Sequence, residues 1–467
     1  MESLMQLNQA FLESHITDLQ SVGAPFPENA FFCVDSRRLE PGNVFIALPG
    51  NRVDGHLFIE SVITAGAAGI IIAKKHTTIL TGLPQESKKD LFIGIVPDTA
   101  EALFALASAW RDQFTCPVIG ITGSVGKTST RQMLVSIIKK ANIPYLSTEA
   151  NNNTMLSISL SMLSARSHHR ILVFEMGISK RDEMSRMAKI VRPTSAVITT
   201  IGHSHMEGLG SLNDIASEKR AIFSHFKADN IGIINGDLPL LAALSYQHPI
   251  VKFGCKTTNQ IQARKIQTHG FKTSFILKLY KEKYTVTLKT NHAGQVNNAL
   301  AAASIACLLG ISGQVITSAL EETEMVSSRF EPRALTKNRG FIIDDAYNAN
   351  PESMRAALLA FEKMEAKGSK IAVLGDMLEL GINSPFWHRQ LGRFLRKAPS
   401  LNQVILVGDL VAWAKKTAPL GLALTHVATW QEAQELLASY IAERESAILV
   451  KGSHGTHLHQ LVKEITK

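Results

Sequence analysis

No apolar run in the 467 residues approaches the roughly 18 needed to span a membrane. The first thirty residues, with Glu13, Asp18 and Glu28 among them, have neither a basic start nor a continuous apolar stretch. No signal peptide is expected, and the expected location is the cytoplasm. Only four cysteines occur (Cys33, Cys116, Cys255 and Cys307), none in C-x-x-C spacing, which excludes a disulfide framework and a cysteine-zinc site and leaves core thiols. Charged residues are sparse at 19% beside 45% apolar residues, so the chain is not a disordered one. The formal net charge of +9 would suit nucleic acid, an anionic membrane surface or an acidic small molecule. Lysines and arginines are spread along the chain, with no basic block interleaved with aromatics and no nucleic-acid-reading motif, which puts acidic small molecules first.

What is present is a phosphate-cradling loop. Residues 120–130 read Gly-Ile-Thr-Gly-Ser-Val-Gly-Lys-Thr-Ser-Thr between an apolar run, Val118 to Ile121, and a helical pattern, Gln132 to Lys140. Such a strand–loop–helix turn presents backbone N–H groups and the positive end of a helix dipole to a phosphate. Lys127 reaches the β/γ oxygens and Thr128 can ligate Mg²⁺. The expected ATP contacts in the loop are Gly123, Ser124, Val125, Gly126, Lys127, Thr128 and Ser129. Ile121 stands where the strict P-loop pattern has its first glycine, so the local spacing is Gly123-x-x-Gly126-Lys127-Thr128.

The length calls for two to four domains. Short apolar runs and turn clusters over residues 31–73 suggest a small α/β unit, and the polar stretch 81–90 a linker. Past the loop, Ile171 to Met176, Ala196 to Ile201 and Ile231 to Asn235 keep the βαβ rhythm of a parallel sheet, whereas residues 271–290 alternate as an antiparallel appendage does. After Val326-Ser327-Ser328 a second βα rhythm begins at Phe341. The expected fold is α/β in three domains: a small N-terminal α/β domain (1–85), a central P-loop parallel-sheet ATPase domain with an antiparallel appendage (86–325), and a C-terminal Rossmann-like domain (326–467).

Three positions beyond the loop bear on the chemistry. Glu175 ends a strand at the rim where the Mg²⁺ of a nucleotide would lie, and would otherwise be a capping glutamate. His205 or His203, in Gly-His-Ser-His-Met-Glu, could be a ligand, although Mg²⁺ prefers oxygen. Lys219 reads by itself as a solvated helix lysine. His454, His457 and His459 read as surface groups rather than a metal tract.

The order of these motifs resembles the Mur ligases of peptidoglycan synthesis over nearly the whole chain: Asp35-Ser36-Arg37, Pro41-Gly42 and Asp54-Gly55-His56, then the loop, Val173-Phe-Glu175-Met-Gly177, His205-Met-Glu207 and Lys219. The resemblance implies that Ser36, Arg37, Asp54 and His56 hold the UDP end of a substrate. It implies that Thr128, Glu175, His205 and Lys219 serve two Mg²⁺ ions, with Lys219 carbamylated, and that Lys127, His205 and Lys219 are the catalytic residues. Asn298 would face adenine, Arg329 and Asp345 would contact the nucleotide, and Lys451-Gly452-Ser453 would complete the closed site. Phe341-Ile-Ile-Asp-Asp345-Ala-Tyr-Asn-Ala-Asn-Pro351-Glu-Ser-Met354, Leu374-Gly-Asp-Met-Leu-Glu-Leu-Gly381 and His388 resemble the branch of the family that adds D-alanyl-D-alanine. The expected activity is ATP-dependent joining of that dipeptide to UDP-N-acetylmuramoyl-tripeptide through an acyl phosphate, by a monomer that binds neither nucleic acid nor membrane. A folylpolyglutamate-type ligase, which would not be expected to carry the leading motifs, and a non-enzymatic nucleotide-binding module, which would not need Glu175, His205 and Lys219 together, are the alternatives.

Overall fold

The strand that carries the phosphate loop, Val118–Thr122, is buried along its whole length, because its residues face helices on both sides of a parallel sheet. Its neighbours are Ile171–Glu175 and Ser195–Ile198, both parallel to it, with Ile121 beside Glu175 and Thr122 beside Ile198. That register delivers Glu175 and the 199–205 segment to the two flanks of the loop, at the carboxyl ends where open α/β sheets bind ligands. The structure, a computed structural model, describes residues 6–50, 53–149, 152–324, 326–335, 340–443 and 445–466.

Among the described residues the central sheet has nine strands. Outward from the loop strand on one side lie Ile171–Glu175 and Tyr145–Ser147. On the other lie Ser195–Ile198, Ile231–Asn235, Ile250–Gly254, Ile261–His269, Lys272–Leu279 and Glu282–Leu288. The last three are antiparallel to one another. Phe275, Leu277, Leu279, Val286 and Leu288 all turn inward, as their period-two spacing requires, onto the alanine-rich helix Ala293–Leu308 and the helix Gly313–Glu322. The strand Ile261–His269 is the part of this appendage that the alternation over 271–290 does not reach.

The N-terminal sheet runs Gln20–Gly23, Phe92–Val96, Gly69–Ala73, Val44–Ile46 and Phe32–Cys33, with only the first pair antiparallel. Phe92–Val96 is fully buried inside that sheet, so the first domain continues beyond residue 85. The polar stretch 81–90 is correspondingly no linker: it contains the short helix Gln85–Lys89 leading into that strand. The third sheet holds Glu331–Ala334, Gly340–Asp345, Ser446–Lys451, Ser369–Gly375, Gln403–Val407 and Ala423–Val427, parallel apart from the first. Asp345 and Lys451 are partners at the carboxyl ends of adjacent strands. No helix among the described residues is long and apolar enough to cross a membrane.

Candidate active site between the second and third sheets

The phosphate loop is shaped by its own domain. Gly123 (φ 150°) and Gly126 (φ 91°) both lie at positive φ, and a side-chain carbon would overlap the Thr199 hydroxyl at the first and the Asn298 amide at the second. The Ser124 N–H donates to the Thr200 carbonyl and the Val125 N–H to the Thr200 hydroxyl, each at 2.9 Å. Gly126 caps the helix Lys127–Lys140, whose first N–H groups have no intrahelical partner and face the cleft. Lys127 Nζ donates to the Gly123 carbonyl at 2.8 Å. Burial lowers the Lys127 pKa, against the pull of Glu175, and Arg329 lowers it further.

Glu175 is 1% exposed. Its Oε1 accepts from the Thr128 hydroxyl and from Asn153 Nδ2, each at 3.0 Å, while Oε2 is buried without a hydrogen-bond partner and lies 3.4 Å from Arg131 Nε. A carboxylate with one oxygen free of hydrogen bonds, beside a threonine hydroxyl, suits an oxygen-seeking cation such as Mg²⁺, so the donor set fits the metal, with Arg131 as the counter-charge in its absence. His205 caps a short helix from a left-handed conformation. Its Nδ1 pairs with Glu379 at 2.5 Å, and Nε2 has no hydrogen bond among the described residues. Lys219 is not a solvated helix lysine. It is 1% exposed, its ammonium makes no hydrogen bond or ion pair among the described residues, and burial together with Lys127 pushes its pKa well down. Asn298 lies against the loop and donates to Gln295 Oε1 at 2.9 Å. Ser129, next along the helix, lines the same cleft.

The third domain closes the other side. Arg329 donates to Thr128 Oγ1 at 3.0 Å and stacks over Tyr347, its guanidinium carbon 4.2 Å from the ring centre. Asp345 pairs with Lys451 at 2.8 Å and accepts the Phe330 N–H. Burial raises the Asp345 pKa, and Lys451 and Arg329 draw it back. The enclosed cleft measures about 430 Å³, within the range of small-molecule sites. His388 is fully buried, its Nε2 accepting the Met377 N–H, so it braces the loop after Ser369–Gly375.

Ser36, Arg37, Asp54 and His56 do not line this cleft. Arg37 is exposed and pairs with Asp35. His56 cannot bond a ligand as it stands: Nδ1 is held by Asp54 at 2.6 Å and Nε2 accepts the Ala73 N–H at 3.0 Å, so the ring braces the turn instead of reaching out. Asp54, His56 and His76 also bring potential ligand atoms within 4.8 Å of one another. The proton that the Ala73 bond fixes on His56 Nδ1 makes that group a poor metal donor. Reading by sequence passes over Arg131 and gives no role to Tyr347 and Glu379, although both stand within quoted motifs. Arg131 has a signal, since it stands three residues after Thr128 and therefore on the same helix face; Tyr347 and Glu379 depend on how two domains meet.

A phosphate loop, a rim carboxylate bonded to a threonine hydroxyl, and a second α/β domain that brings arginine, lysine and aspartate onto them make the arrangement of an ATP-dependent ligase. Three family descriptions match in order: Mur ligase family, catalytic domain, over residues 29–111; Mur ligase middle domain over 121–306; and Mur ligase, glutamate ligase domain, over 328–454. The UDP-N-acetylmuramoyl-tripeptide–D-alanyl-D-alanine ligase of Bacillus subtilis is 32% identical over 92% of each chain. The crystal structure of MurF from Acinetobacter baumannii superposes with a TM-score of 0.86 over 99% of both chains at 29% identity. MurF from Thermotoga maritima, in complex with ADP, gives 0.81 at 26% identity, covering 94% of this chain and 97% of the other. The chain belongs to the Mur ligase family and is an enzyme that uses ATP and Mg²⁺ to form a C–N bond.

Proposed function

We propose that this enzyme joins D-alanyl-D-alanine to UDP-N-acetylmuramoyl-tripeptide in peptidoglycan precursor synthesis. The observation that carries the reading is the closed cleft, in which Arg329, Asp345 and Lys451 of the third domain meet the phosphate loop of the second, within a chain that matches relatives of that specificity from end to end. Carboxylate and ammonium do not condense unaided in water. In the proposed reaction a carboxylate oxygen of the tripeptide attacks the γ-phosphorus of ATP, ADP leaves, and an acyl phosphate forms. The dipeptide amine then attacks the acyl carbon, loses a proton, and inorganic phosphate departs with the C–O electron pair.

Two anions must approach in the first step. Lys127 and the N–H groups at the start of its helix neutralise the γ-phosphate. Thr128, Glu175 and His205 would hold Mg²⁺, which supplies Lewis-acid charge neutralisation when bound. Lys219 is proposed to be carbamylated: its burial favours the neutral amine, the form that adds CO₂, and the product would be an anionic ligand in place of a cation. Arg329 and Asp345 are proposed to contact the nucleotide and Asn298 its base, while Ser36, Arg37 and Asp54 engage the UDP end. His56 supports the last of these through its bond to Asp54. The first domain, matched over residues 29–111, favours this reading over a folylpolyglutamate-type ligase. The working unit is proposed to be a monomer, since residues of one chain complete the cleft. Phosphate release from ATP that requires both the UDP-linked tripeptide and D-alanyl-D-alanine is the expected result; equal release with the dipeptide omitted would reject the reading.

A further inference from the structure

The segment that straps the phosphate loop is gripped from the third domain. The Ser124 hydroxyl donates to the Gly202 carbonyl and accepts the Gly202 N–H, both at 2.9 Å. The next residue, His203, gives its backbone N–H to Glu352 Oε2 at 3.0 Å and pairs through Nδ1 with Glu352 Oε1 at 2.5 Å. Glu352 stands in the first turn of the third-domain helix Pro351–Glu362, where the cap at Asn350 fixes its direction. The His203 ring packs against Trp387 of the helix Ser384–Phe394, ring centres 4.1 Å apart, so third-domain residues hold both its edge and its face. Gly202 is bare for a reason visible here: a side-chain carbon on it would stand 2.9 Å from the carboxyl carbon and Oε2 of Glu352.

We propose that Glu352 is a positioning residue that transmits the seating of the third domain to the phosphate loop. The path is short and continuous, from the Glu352 carboxylate to the Gly202–His203 backbone and on to Ser124 in the loop. When the third domain is seated, the Thr199–His203 strap is held on both sides and the loop is fixed while Arg329 arrives at Thr128. With the domain withdrawn, the same strap is held from the loop side alone. Glu352 thus acts on the reaction through the loop and touches neither substrate.

The kinetic arm of the test rests on the proposed ligase reaction, whereas X-ray scattering with a non-hydrolysable ATP analogue reads domain closure independently of it. Glu352→Ala should lower kcat by about tenfold, leave KM for ATP within about twofold, and leave the melting temperature unchanged, since Glu352 is partly exposed. Glu352→Gln, which keeps an acceptor for the His203 N–H, should recover part of kcat. Scattering should report a smaller compact fraction for Glu352→Ala at saturating analogue. Gly202→Ala should impair turnover in the native background and add nothing to Glu352→Ala, because the added carbon meets that carboxylate. Native kcat in Glu352→Ala, a compact fraction equal to that of the native protein, additive effects of the Gly202 and Glu352 changes, or loss of kcat together with melting temperature would each overturn the proposal.

Discussion

The two faces of the cleft are made in different ways. On the central face, Gly123 and Glu175 lie at the ends of neighbouring strands of one sheet and Lys127 and Thr128 open the helix that follows the first of them, so their geometry follows from the register of Val118–Thr122 and Ile171–Glu175. On the facing side, Arg329, Asp345 and Lys451 belong to another sheet, and their contact with the loop depends on where a whole domain rests. A face set by register keeps its strand positions when the other domain withdraws, although the strap beside its loop then loses the grip of Glu352. A face set by docking has two positions, and mutations there should change the fraction of time spent in the right one.

Lys127→Ala should break the central face outright. It removes the cation at the γ-phosphate without opening the core, so a fall in kcat of about a thousandfold or more with an unchanged melting temperature is expected. A variant that still ligates at near-native rate would show that the loop is not the phosphate site.

Lys219→Ala should come next, with a loss of about a hundredfold, and Lys219→Arg should do no better because a guanidinium keeps its positive charge where an anion is needed. Partial recovery of Lys219→Ala with a short carboxylate in the buffer would support the carbamate, and mass spectrometry of the intact protein under CO₂ would detect the added group. Full activity of both variants would leave Lys219 a packing residue.

Arg329→Ala probes the docked face. It takes away one donor to Thr128 and the stack on Tyr347, and a decrease of about tenfold in kcat/KM for ATP is expected, well short of the Lys127 effect. If the two losses were equal, the contrast between a built face and a docked one would fail.

The last effect falls on stability and not on turnover, and it belongs to a residue that straddles the two. His292 begins the helix Ala293–Leu308 of the second domain, accepts the Gly294 N–H and packs against Phe330, which leads into the third sheet. Burial, helped by Lys451, lowers its pKa from 6.5 to about 4. The unfolded chain therefore takes up a proton below about pH 6.5 that the folded one refuses until about pH 4, so this histidine contributes stability in full above 6.5 and loses it as the pH falls through that window. Across the window the loss should be about 3 kcal/mol. His292→Asn, which keeps an acceptor for the helix cap, should flatten that part of the stability–pH curve in chemical denaturation, and an unchanged slope would place the titration elsewhere.

The same contrast governs how much of the site is legible in the amino-acid order. The loop, Glu175 at the end of its strand and the inward faces of the appendage all follow from local spacing, because strand period and helix capping act over a few residues. Lys219 is an ordinary lysine within Ile-Ala-Ser-Glu-Lys-Arg, and its place in order among the family's motifs points to it where its immediate neighbours do not. Phe92–Val96 falls on the wrong side of the expected domain boundary because the helix that leads into it is short and polar, and only its pairing with Gly69–Ala73 assigns it to the first sheet. Glu379 and Glu352 sit inside motifs that the family resemblance picks out, but their contacts are not legible there, since what they hold lies roughly 150 or more residues away in the chain.

The bond from Arg329 to Thr128 makes a single oxygen the meeting point of the two domains. The Thr128 hydroxyl points its proton at Glu175 and accepts from the guanidinium, so one of its two lone pairs is taken and one is left when the two domains meet in this way. That remaining lone pair is where a metal ion would bind, which would set a cation and a guanidinium on one oxygen. Two like charges on a shared atom would stay there only with phosphate oxygens between them, so the nucleotide would act as the mortar of the joint between the two domains.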